Sequence, residues 1–145
     1  MSTVRAFAQS VQVADRWVAD LARALELDHD EAYRVLRAVL HALRDRIPHD
    51  ESAQLAAQLP LIVRGAYYEG WRPSSTPETY HGVEPFLRRI AVEAQMAGET
   101  EASFAAQTTV EMLRRHVSEG EVADVLAALP APVRALLSGT GEAGA

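Results

Sequence analysis

A chain of 145 residues, 48% of them hydrophobic, has the length and apolar content of one folded domain with its own core. Its formal charge of −6, set against 14 basic residues that are all arginine, argues against a nucleic-acid partner, which needs clustered positive charge. Cysteine is absent, which excludes disulfides, thiol nucleophiles and cysteine-based zinc sites; a reducing cytoplasm is the expected compartment.

The opening stretch "MSTVRAFAQSVQVADRW" has no long apolar run followed by small residues, so no signal peptide is expected. No apolar run of about eighteen residues predicts a membrane span. From Ala14, apolar residues recur as Trp17, Val18, Leu21, Ala22 and Leu25, one stripe along a 3.6-residue helix. "LDHDEAY" interrupts it, and Asp28 with Glu31 three residues on predicts a capping box opening the next helix. That helix turns Leu36, Leu40, Leu43 and Ile47 inward and stops at Pro48, whose ring clashes with a preceding turn. Short helices follow over about residues 51–59 and 60–68, the second with Pro60 at its start, where a missing N–H costs nothing.

The second half repeats this plan. Val83, Phe86, Leu87, Ile90, Ala91 and Ala94 reproduce the first stripe 69 residues later. Residues 42–67 lie over residues 112–137 at a constant shift of 70 with nine identities in 26 positions, among them Glu51/Glu121, Leu59-Pro60/Leu129-Pro130 and Val63-Arg64/Val133-Arg134. The prediction is an all-α fold: two similar four-helix units, approximately residues 11–69 and 82–138, packed as one bundle-like globule. The connector, residues 70–82, is rich in Pro, Gly, Ser and Thr, and the tail 139–145 lacks apolar anchors and is expected to be disordered.

"VLRAVLHALRDRIP", "LAAQLPLIVRGAYYEGWRP" and "VSEGEVADVLAALPAPVRALL" resemble the bacterial family known as domain of unknown function 2267, over roughly residues 7–137. The resemblance implies an all-helical fold built from a duplicated unit, with no established activity and no catalytic residues to carry over. The second copy departs from the first in having no counterpart of Tyr67, Tyr68 and Trp71.

Three side-chain groups invite a functional reading. Tyr67, Tyr68 and Trp71, with Arg72 and Tyr80, offer an aromatic ledge for a small ligand or peptide, or a packed plug where the two units join. Arg34, Arg37, His41 and Arg44 form a stripe on one helix, and the three arginines offer either a solvated face or a site for an anionic partner. Arg64 and Arg134, each four residues after a Leu-Pro proline, are expected to clamp the C-terminal carbonyls of a neighbouring helix or to pair with Glu51 and Glu121.

The five histidines show no metal-binding spacing, and no phosphate loop, nucleophile elbow or dinucleotide fingerprint occurs, so no metal, cofactor or catalytic residue is assigned. The function that follows is a non-enzymatic helical module for protein interaction or self-association, with neither nucleic acid nor membrane as partner. The alternatives are a small-ligand binder or enzyme at the aromatic junction and, third, anion binding on the arginine stripe.

Overall fold

Local chemistry is plainest at Asp28. In the computed structural model, which describes residues 4–79 and 82–139, the Glu31 N–H donates to Asp28 Oδ1 at 2.8 Å and the Asp28 N–H to Glu31 Oε1 at 3.0 Å. This is the predicted capping box, and it opens α2 (His29–Arg44). Upstream, α1 (Arg5–Leu25) ends on Glu26 in the left-handed region, φ 55°, which lets the Leu27 N–H reach back to the Ala22 carbonyl at 3.0 Å. Pro48 caps α3 (His49–Ala57), and Pro60 stands just outside α4 (Leu61–Tyr68), which begins one residue after the start that the sequence suggested.

Beyond a turn at Gly70, whose φ of 73° suits glycine, the connector makes a short 3-10 turn at Pro73–Ser75. The Glu78 N–H donates to the Asp45 carbonyl at 2.7 Å, which ties the connector to the end of α2. Four helices follow: α5 (Val83–Ala94), α6 (Glu99–His116), α7 (Glu119–Ala128) and α8 (Ala131–Leu137). Like α1, α5 ends on a left-handed residue, Gln95 at φ 58°, with the Met96 N–H on the Ala91 carbonyl at 2.8 Å. The fold is all-α, with eight α-helices and no strand among the described residues. No helix among them is long and apolar enough to cross a membrane.

One contiguous apolar core draws on all eight helices. Within it α2 packs on α1 and α5, α1 on α6, α5 on α6, and α3 on α7. The spacing predicts a single inward stripe on α2, but Val35, Leu36 and every residue from Ala38 through the helix end to Ile47 is buried. Helices from both halves surround its C-terminal part, so its polar side has no solvent to face. That encirclement sets the chemistry of the polar residues it carries.

Candidate functional site

Arg44 does not lie on an exposed stripe; it is 2% exposed. Its Nε and Nη2 donate to Asp45 Oδ1 and Oδ2 at 2.8 and 3.0 Å, a bidentate pair, and its Nη1 donates to the carbonyls of Tyr67 and Glu69 at 2.7 and 2.8 Å. These carbonyls belong to the C-terminal end of α4, where the helix dipole favours a cation. One turn earlier on α2, His41 sets Nδ1 2.7 Å from Glu93 Oε2 and Nε2 2.7 Å from the Ala66 carbonyl. Both neighbours are hydrogen-bond acceptors, so either ring nitrogen finds a partner for its proton. Arg37 pairs with Glu69 at 2.8 Å and Glu93 at 3.4 Å, and Arg34 donates to Gln95 Oε1 at 3.0 Å.

The arginine stripe of the sequence is therefore not a uniformly exposed face: Arg44 is buried, and Arg34 and Arg37 are half-buried. Arg44 is engaged by Asp45 and the end of α4, Arg37 by Glu69 and Glu93, and Arg34 by the amide oxygen of Gln95. On the far side of Asp45, Arg89 of α5 bonds Oδ2 at 2.7 Å and Glu78 at 3.0 Å. Burial by itself pushes the Asp45 carboxyl upward, but the hydrogen bonds and charges of Arg44 and Arg89 outweigh it and leave the carboxyl below its ordinary range. Glu93 is held low against the same burial by His41, Arg89 and Arg37.

The aromatic cluster closes this junction. Tyr67 is fully buried, its hydroxyl donates to the Ser52 carbonyl at 3.1 Å, and burial pushes its phenol upward. Tyr68 packs between Tyr67 and Trp71, with ring centroids 5.3 and 5.4 Å away, and His49 meets the Trp71 ring edge-on at 5.7 Å. Arg72 is exposed beside them, and Tyr80 lies outside the described residues. Four grooves elsewhere on the described residues are lined by other side chains. As placed, the three rings pack on one another at the junction.

Arg64 and Arg134 occupy matching positions at the ends of α3 and α7. Arg64 Nη2 donates to the Leu59 and Ala57 carbonyls at 2.9 and 3.4 Å. Arg134 Nη2 reaches those of Leu129 and Ala127 at 3.0 and 3.4 Å, and its Nε adds Leu126 at 3.0 Å. Their suggested acid partners sit in the first turns of the same helices, where Glu51 and Glu121 face each other. Burial, the Glu51 carboxyl and Asp124 push the Glu121 carboxyl up to about 8.

A surface that sequence reasoning missed lies on α1. Val4, Phe7 and Val11 are 57%, 60% and 50% exposed, although they continue, at spacings of three and four, the stripe that Ala14, Val18, Leu21 and Leu25 carry inside. Ile62 of α4 and Tyr33 of α2, which share a groove with Val11, are exposed, as is Leu61 of α4. Val11, Val18, Tyr33 and Ile62 line a groove of about 250 Å³ with Asp15, His29 and Asp30 on its polar edge. The missed signal was the 3–4 spacing, legible back to Val4.

The chain belongs to the family described as an uncharacterized conserved protein (DUF2267), whose model matches residues 14–136. The match begins at Ala14, just after the exposed part of α1. No curated protein matches the chain.

Proposed function

We propose that this protein is a non-enzymatic helical module that self-associates through the exposed end of α1 and the groove beside it. The observation that carries this reading is the apolar stripe of α1, which continues past the core as Val4, Phe7 and Val11 with nothing of its own chain to cover it among the described residues. Exposed apolar side chains grouped on one face, next to an apolar groove with a polar edge, are what an interaction surface presents.

A second copy of the chain suits this face as occupant. Two α1 helices packed antiparallel with Phe7 opposite Val11 set each Phe7 over the other copy's groove, an isologous contact that closes on itself. The same register brings Arg5 of one copy to within two residues, about 3 Å of helical rise, of the level of Asp15 in the other. Small residues, Ala8 and Ser10, flank the stripe and leave room for close approach.

We further infer that the eight helices are two copies of one four-helix unit. In support, α3 and α7 begin 70 residues apart, as do α4 and α8; the left-handed ends of α1 and α5 lie 69 apart; and Arg64 and Arg134 hold corresponding carbonyls. An extended α1 then distinguishes the first copy, for α1 has 21 residues and α5 has 12.

Sedimentation velocity over a concentration series tests the reading. The wild-type chain is expected to form a dimer, and Phe7→Asp or Ile62→Asp to be monomeric with an unchanged melting temperature. A wild-type chain that remains monomeric at every attainable concentration, or a dimer indifferent to both substitutions, overturns self-association through this face.

A further inference from the structure

The first turns of α3 and α7 bring Glu51, Glu121 and Asp124 together, with one carboxylate oxygen from each within 4.8 Å of the others. An acidic residue in the first turn of a helix ordinarily serves its own cap, reaching back to the N-cap N–H. Neither glutamate does so here. Glu51 stands three residues after Pro48, which has no N–H to offer. Glu121 stands three residues after Ser118, whose N–H is already given to Gln58 Oε1 at 2.8 Å, while Ser118 Oγ accepts from Gln58 Nε2 at 3.0 Å. Both carboxyl groups are thereby freed to point across the helix contact at each other.

What they meet there leaves one oxygen of each unsatisfied. Glu121 is 7% exposed, and its Oε2 and that of Glu51 are buried with no hydrogen-bond partner among the described residues. No arginine or histidine among those residues forms an ion pair with any of the three acids, although eleven such pairs occur elsewhere among them. A buried carboxylate oxygen without a donor is costly, and like charges brought together add to that cost. A cation that accepts several oxygen ligands removes both penalties at once.

We propose that Glu51, Glu121 and Asp124 bind one hard divalent cation of the Mg²⁺ or Mn²⁺ kind, with water completing its shell. All the donors are oxygen, which suits a hard ion and not a thiolate- or imidazole-seeking one. Three carboxylates are too few for the six to eight oxygens of a calcium cage, whereas a magnesium-type ion is commonly held by a few carboxylates and keeps its water. Asp124, the exposed member, lies on the solvent side, where that water enters. Because Glu51 comes from α3 and Glu121 and Asp124 from α7, the ion ties the two halves of the chain together.

Mn²⁺ is the probe, added to the chelator-treated full chain and followed by electron paramagnetic resonance and by titration calorimetry. The wild-type protein is expected to bind one Mn²⁺ per chain, displaceable by Mg²⁺. Glu121→Gln and Glu51→Gln are expected to lose at least about tenfold in affinity. Asp124→Asn, an exposed substitution that leaves the core untouched, is expected to weaken binding less while keeping the metal-free melting temperature, and so reports on the site even if a glutamate variant folds poorly. Absence of stoichiometric Mn²⁺ binding, or binding that all three variants retain at wild-type strength, overturns the proposal.

Discussion

Two contacts in this molecule bury acidic groups, with opposite results. At the junction of α2 and α5, Asp45 sits between Arg44 and Arg89, and Glu93 beside His41 and Arg37. Where α3 meets α7, Glu121 sits against Glu51 and Asp124. Burial raises a carboxyl in both places, yet Asp45 and Glu93 end below their ordinary range and Glu121 rises to about 8. The charge facing a buried acid, more than burial itself, decides the direction.

Arg44→Met breaks the first contact most severely, because it leaves Asp45 short of a partner and the α4 carbonyls without donors. A loss of about 3–5 kcal/mol in urea unfolding is expected, as for other half-removed buried pairs. Arg114→Ala, at an exposed arginine 3.5 Å from Glu111, is expected to cost about 0–1 kcal/mol. Similar losses at both positions would sink the distinction between the buried cation and the exposed one.

Arg64→Ala and Arg134→Ala test a middle case, cations whose partners are carbonyls only. Each is expected to cost about 1–3 kcal/mol, with Arg134→Ala the larger because its guanidinium also serves Leu126. A melting temperature unmoved by either would remove the clamp from the account.

The next effect is smaller and has opposite signs at the two contacts. The raised Glu121 contributes stability below its unfolded value of 4.5 and loses that contribution as pH climbs toward about 8. Asp45 and Glu93, being lowered, contribute above their unfolded values of 3.8 and 4.5 and lose it as pH falls through the folded ones. In chelator-treated protein, Glu121→Gln is therefore expected to melt progressively higher than wild type as pH rises from about 5 to about 8. A constant difference across that range would mean that the carboxyl pair does not titrate with folding. Least of all, Arg34→Ala, which removes one surface contact to Gln95, is expected to stay within about 0.5 kcal/mol of wild type.

Much of the fold was legible because its signals are local. The capping pair Asp28 and Glu31 spans three residues, Pro48 and Pro60 act on the turns beside them, and the stripes of α1 and α5 repeat within a few turns. The same spacing carried the exposed Val4, Phe7 and Val11, although nothing in it tells a stripe that is covered from one that is not. The polar residues were read less well. Arg34, Arg37 and Arg44 have the spacing of a surface face, yet Arg44 is buried by carbonyls that follow it by 23 and 25 residues. Glu51 and Glu121 were recognised as matching positions, but their meeting across the helix contact lay beyond any local pattern.

The sequence by itself determined the helices, their caps and the positions that repeat. A helical hydrogen bond joins residues four apart and a cap spans three, so the information lies beside where it is used. Only the tertiary structure decided which charges are buried, which acid meets a cation and which meets another acid, and which apolar stripe runs out into solvent. Burial and much of the electrostatic pairing depend on what distant segments bring to the same place, as Arg89 does for Asp45 and Glu51 for Glu121.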